Sequence, residues 1–373
     1  MHHAAPLGIM PLRHPRRVTM IVAVALALMP LTASAHVRWF TPEGPYWDPD
    51  WGHIFSLQTL LALLSIGAIV TLLALGQRLI GDPLWPRPPF LQRMEPAAPA
   101  ILGVQAAIAL IYAATQLDLF VPNIELPENV FGVAIAGVAI AAGFTFITGV
   151  LTRVGALLII GLFVLAFFFG AWYEALEQVI FVGIALYLVA VGRGVVRYDS
   201  GTEEDRTAFS DRLLPNALPI LRWCAGISIL VLGFTEKLLA PDLGVAFLQE
   251  YPNFNVLREF GLEWFTDRRF VYMAGIVEAT AGAALLCGFL PRVVILSLWI
   301  PFNLGIPFLP PTELIGHLPI LATMYVLLVR GTEGIPPRTA PAGTQPDRET
   351  PVDTSQRAAT ESAPPRHPAG ATP

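Results

Sequence analysis

Apolar runs of helix length follow one another along almost the whole chain, at roughly 55–76, 99–117, 130–149, 154–171, 175–192, 218–234, 270–288, 293–309 and 315–330. A helix needs about 20 apolar residues to cross a bilayer, and every backbone N–H and C=O inside the membrane must be paired within the protein. Together these two requirements select helices. Of the 373 residues, 54% are hydrophobic and 14% charged, which is too apolar for an ordinary soluble domain. The expected fold is all-α, a polytopic helical membrane protein with about nine transmembrane helices.

The connections carry an orientation signal. Arg78, Arg87, Arg93, Arg153, Arg193, Arg197, Arg206, Arg212 and Arg292 fall in alternate loops, whereas 118–129 and 172–174 hold only acids. Short basic loops stay in the cytoplasm, which assigns the arginine loops to that side. The segment 235–269 mixes Lys237, Arg258, Arg268 and Arg269 with acids and is read as a long translocated loop. A formal net charge of −5 offers no basic surface, so the expected partner is the lipid bilayer and not nucleic acid. Cys224 and Cys287 have neither CxxC nor zinc-ligand spacing and are read as inert thiols.

The amino terminus has the features of a leader. Arg13, Arg16 and Arg17 precede an apolar run from Val18 to Leu31, and Ala33-Ser34-Ala35 fits the small-x-small pattern cut by signal peptidase. Residues 1–35 are therefore expected to be removed, leaving His36 as the mature terminus outside the cytoplasm of a bacterial inner membrane. A free terminal histidine offers its amine and ring nitrogens together, a chelate suited to copper, and His53 is a second candidate ligand in the external segment 36–54. Trp39, Phe40, Tyr46, Trp47 and Trp51 in that segment have a simpler reading as an aromatic belt at the membrane edge. At the other end, residues 332–373 are rich in Pro, Thr and Ala and are expected to be a disordered cytoplasmic tail.

An internal repeat organises the rest. Gly149 and Gly288, Arg153 and Arg292, Phe163 and Phe302, and Glu174 and Glu313 are matching residues 139 positions apart; upstream, Ile101 and Ile220, and Pro122 and Pro241, match at 119. A first helix at 55–76 is thus followed by two tandem four-helix units, 99–193 and 219–331. An even helix count makes them parallel repeats.

Features in both units are read as scaffold, and polar groups in one unit as candidates for chemistry. Glu236 replaces Leu117, Glu278 replaces Ala139 and His317 replaces Gln178. Glu278 lies about eight residues into its helix, roughly 12 Å deep at 1.5 Å per residue. A carboxylate at that depth must be neutral, paired or hydrated. Glu313 and His317 are spaced to share one helix face. Glu236, Glu278, Glu313 and His317 form the candidate proton or quinone site, and His36, His53 and His317 all fall on the outer side. The alternative for Glu313 is helix capping, as at Glu174.

The second unit carries Gly233-Phe-Thr-Glu-Lys-Leu-Leu-x-Pro241, then an apolar helix with Gly282 and a Leu-Leu-x-Gly-x-x-x-Arg run ending at Arg292. In this it resembles the DoxX family of small bacterial membrane proteins. The first unit resembles it in degenerate form. The resemblance implies a four-helix membrane unit, in a family named for subunits of a thiosulfate:quinone oxidoreductase; no catalytic residue of that enzyme can be matched here. Three function classes are open: a redox-linked subunit exchanging protons or electrons with quinone and a redox partner subunit, handling of copper or a small solute at the outer face, and a non-catalytic scaffold. Walker, GxGxxG, HExxH and Gly-x-Ser-x-Gly motifs are absent from the sequence.

Overall fold

The computed structural model describes residues 37–39, 41, 44, 47–80, 89–193, 208–305 and 311–330. The expected leader, His36 and the tail 332–373 lie outside the described residues. Fifteen-residue and longer helices dominate: α1 (Leu57–Ile80), α3 (Ala98–Thr115), α4 (Val130–Thr148), α5 (Thr152–Phe169), α9 (Ala217–Gly233), α12 (Asp267–Cys287), α13 (Pro291–Gly305) and α14 (Pro311–Arg330). Shorter helices are α2 (Pro89–Met94), α6 (Trp172–Glu177), α7 (Val179–Val191), α8 (Ala208–Leu213), α10 (Pro241–Glu250) and α11 (Val256–Glu259). One small antiparallel hairpin, β1 (Asp118–Leu119) with β2 (Val121–Glu125), interrupts the helical pattern.

Among the described residues, six helices are long and apolar enough to cross a membrane: Leu57–Leu79, Glu95–Thr115, Val130–Thr148, Thr152–Phe169, Leu214–Leu238 and Asp267–Cys287. Val179–Val191 and Leu314–Arg330 are apolar but shorter. The chain is thus a multi-pass helical protein of membrane type. Its surface agrees, because Leu57, Leu64 and Leu79 on α1, Val130 on α4 and Phe168 on α5 all point outward. Apolar area of that extent requires lipid or another apolar partner.

Packing is closest between α9 and α12. A Cβ added at Gly282 would lie 2.6 Å from the carbonyl oxygen of Gly226, and one added at Gly226 would lie 2.9 Å from that of Gly282. The two backbones touch where neither has a side chain, as in small-residue contacts of membrane helices.

At one end of the bundle, two Gly-x-Leu-x-Arg turns have the same construction. Gly149 and Gly288 take φ of 80° and 73°, and Leu151 and Leu290 follow at 54° and 41°. Arg153 Nε then donates to Val189 O at 3.0 Å, and Arg292 Nε to Leu328 O at 3.1 Å. Both arginines satisfy carbonyls at the end of the following apolar helix, where a cation also meets the negative end of the helix dipole. Adding 119 to the bounds of α2 gives those of α8, and the short 3₁₀ turn Glu95–Ala97 maps in the same way onto Leu214–Asn216.

The opposite end gathers residues 37–39 and 47–56, the hairpin, α6, α10 and the start of α14. Here residues 47–56 are stitched onto the protein. Asp50 N–H donates to Leu239 O at 3.0 Å, Tyr173 O–H donates to Asp48 at 3.0 Å, and Trp51 stacks on Trp172 with ring centres 5.4 Å apart. Val37 is buried in a small apolar cluster with Leu243, Phe247, Phe254 and Phe270, with Trp47 packed against it. The aromatic belt expected of this segment is thus partly an intramolecular packing surface.

Candidate functional site

The helix that begins at Ala217 does not end as a regular α-helix. Leu239 N–H donates to Phe234 O at 2.8 Å, five residues back, which makes Phe234–Leu238 a π-helical turn before Pro241 starts α10. Such turns insert an extra residue and recur at functional sites. Here the widened turn buries two successive charged side chains, Glu236 and Lys237. Lys237 is therefore an interior cation, not one of the loop charges among which the sequence placed it.

Lys237 Nζ lies 2.8 Å from Glu278 Oε2, a buried ion pair. Glu236 accepts from Val37 N–H at 2.9 Å and lies 3.9 Å from the Arg38 guanidinium. Arg38 reaches Glu177 at 3.0 and 3.2 Å, and its Nε and Nη2 donate to Trp47 O. Thr235 O–H closes on Glu177 Oε1 at 2.5 Å. The facing carboxylates hold the Arg38 pKa above its ordinary value against a burial effect that lowers it.

Five charged side chains, Arg38, Glu177, Glu236, Lys237 and Glu278, are thus buried within one region, each at most 3% exposed. Three are acids and two are bases. Fully ionised, the group would carry one uncompensated negative charge in a low-dielectric interior, which is costly by several kcal/mol. A bound proton on one carboxyl group restores neutrality at least cost.

Glu236 and Glu278, both expected from the sequence, meet in this cluster. His317 is buried, with its ring edge-on to Phe302 at 5.1 Å. Phe302 and Gly316 line a cavity that Glu278 also lines, which sets His317 beside the cavity wall. Glu313 lies in the first turn of α14, and its side chain is outside the described residues. His53 is elsewhere, with Nε2 2.6 Å from the Tyr272 hydroxyl. Among the described residues, no three His, Cys, Asp or Glu side chains are grouped to hold a metal ion. Cys224 and Cys287 are free thiols.

Glu174, the counterpart of Glu313, accepts from Ala171 N–H at 2.7 Å, a helix-capping bond.

Sequence reasoning missed Arg38 and Glu177. The first unit supplies the carboxylate that both Arg38 and Thr235 bind. An acid inside the apolar run 175–192 was the available signal. Nothing comparable marked Arg38, because an arginine beside a leader reads as an exterior charge.

The cavity, about 30 Å³, lies where α3, the α6–α7 junction, α9, α12, α13 and α14 converge, with Glu278, Gln178, Ser228 and Phe302 in its wall. Ser228 O–H donates to the Glu177 backbone carbonyl. Comparison of the chain with protein-family models, with curated proteins and with solved structures gives no match.

Proposed function

We propose that this chain is a proton-exchanging membrane subunit of DoxX type, linked to redox chemistry through quinone, with the buried carboxylates as its working groups. The observation that carries the reading is the excess of buried acids over buried bases: Glu177, Glu236 and Glu278 against Arg38 and Lys237. Such a group binds and releases a proton more readily than it changes its net charge in any other way. Quinol oxidation releases two protons and two electrons. In this reading Glu278 accepts one proton, water at the outer face takes the other, and a partner subunit takes both electrons.

The reading includes an arrangement of nine spans, with a first helix and two tandem four-helix units, the charge cluster at the outer face of a bacterial plasma membrane and the tail in the cytoplasm. Its supports are the matching turns at Gly149 and Gly288, the matching element bounds 119 residues apart, and the arginines at the opposite end. The test is binding of a quinol analogue to the protein in liposomes. Glu278→Gln should weaken it about tenfold or more, as expected for loss of a hydrogen bond to a charged group. Unchanged quinol binding in that variant would remove Glu278 from the reading. Absence of quinol binding, with Glu278→Ala and His317→Ala together tolerated, would favour the scaffold class.

One observation keeps the copper reading as a second proposal. Val37 and Arg38 are anchored to Glu236 and Glu177, so a terminus freed at His36 would begin one residue from the cluster. Near-stoichiometric copper in the purified mature chain, lost in His36→Ala, would support it. Metal-free protein with His36 at its terminus would end it.

A further inference from the structure

Two residues in the wall of the cavity each carry a buried polar atom without a hydrogen-bond partner. Glu278 Oε1 is an acceptor, because its sister oxygen is taken by Lys237, and Gln178 Nε2 is a donor. Both side chains are 2% exposed, and they come from different four-helix segments, Gln178 from the α6–α7 junction and Glu278 from α12. An unpaired buried amide or carboxylate costs about 1–3 kcal/mol or more. An unmatched donor and acceptor on one small cavity therefore point to a polar occupant with both capacities.

We propose that this cavity is an internal water site, in which one or two water molecules bridge Gln178 Nε2 to Glu278 Oε1. Size agrees, since one water needs at least about 10–15 Å³ and the cavity has about 30 Å³. Chemistry also agrees. Water accepts from the amide and donates to the carboxylate, whereas a metal cation would be repelled by the amide N–H. Ser228, also in the wall, offers its hydroxyl oxygen as a third partner. The remaining wall is apolar, with Phe181, Ile229 and Phe302 holding the water in place. The bridge joins Glu278 to the residue next to Glu177, so water connects the two halves of the charge cluster. The site stands on the cavity alone, whatever the electron partner.

Radiolytic hydroxyl labelling of the full chain in lipid nanodiscs, in heavy-oxygen water, tests this. Hydroxyl radicals form at bound water and oxidise the side chains touching it. Phe302, which is 4% exposed, should take up label well above both Phe146, at 0%, and Phe254, at 3%, neither of which lines the cavity. Ala109→Leu, which fills the cavity from α3, should abolish that label. Gln178→Leu should reduce it strongly, and it also keeps the test decisive should Ala109→Leu not fold. Glu278→Gln retains an acceptor and should keep the label. Phe302 labelled no more than Phe146 or Phe254 in the wild type would overturn the site. So would labelling that appears only after sodium is removed, which would assign the space to a cation. The quinone reading could fail its own binding test and leave this result standing.

Discussion

Residues 98–191 begin with the long helices α3, α4 and α5, of 18, 19 and 18 residues, and residues 217–330 contain α9, α12 and α13, of 17, 21 and 15, but the two regions differ in what they bury. Where one has Leu117, Ala139 and Gln178, the other has Glu236, Glu278 and His317. The first is closed by a hairpin that tucks Phe120 and Val121 into the main core. The second ends its leading helix in a π-helical turn that buries Glu236 and Lys237. The shared parts are backbone solutions, Gly turns and arginines on carbonyls, which any helical pair of this kind needs. The unshared parts place charge where it is expensive. Yet the division is incomplete, because Glu177 of the first segment and Arg38 of the amino-terminal segment complete the cluster. The charge cluster is assembled across three parts of the chain.

The largest effect that should break the comparison is at the charged end. Arg38→Ala leaves Glu177 and Glu236 facing each other without their cation and should cost about 3–5 kcal/mol, read by denaturant unfolding in detergent. Lys237→Met should be similarly damaging by leaving Glu278 unpaired, whereas Lys237→Met with Glu278→Leu should recover most of the loss. An additive double variant would mean that the two residues do not act as a pair.

Next comes the packing of the second segment. Gly282→Val forces apart α12 and α9, and should cost about 3 kcal/mol, while Gly137→Val in α4, where an added Cβ meets nothing within 4 Å, should be close to neutral. Equal thermal shifts in the two variants would show that the close approach at Gly226 is not what holds the pair together.

At the shared arginine turns, effects should be smaller and alike. Arg153→Ala and Arg292→Ala each remove a charged hydrogen bond to a helix-end carbonyl, and each should cost about 1.5 kcal/mol. A large difference between them would sharpen the comparison by giving one turn a role that the other lacks.

A further effect, of pH, concerns the hairpin. Asp118 faces Glu125 across the strands, and burial first, then that carboxylate, push its pKa up to about 7. A raised acid holds a proton in the folded state that the unfolded chain releases. Stability should therefore fall as pH rises from about 4 to about 7, and Asp118→Asn should flatten that slope. A slope unchanged in Asp118→Asn would assign it to other groups.

Much of the scaffold was legible in the sequence because it follows from local rules. The apolar runs at 55–76, 130–149 and 154–171 correspond to α1, α4 and α5 within a few residues, since helix length and hydropathy are set by nearby side chains. The run at 175–192 was read as one helix; it is α6 and α7 with Gln178 between them. Glu236 and Glu278 were found because each replaces an apolar residue in an otherwise matching register. Their partners were not, because ion pairing of Arg38 with Glu177 spans 139 residues of sequence and depends on tertiary packing alone. The burial of Lys237 depends on a π-helical turn that propensity does not encode.

The most direct test of the central claim is infrared spectroscopy of the purified protein near neutral pH, read in the carbonyl-stretch region where a protonated carboxyl group absorbs and an ionised one does not. Three buried acids against two bases predict a protonated-carboxyl band that is lost or shifted in one of Glu177→Gln, Glu236→Gln and Glu278→Gln. A spectrum without that band, in protein that is folded and retains Arg38 and Lys237, would mean that all three carboxylates are ionised, and would contradict the proton-binding account.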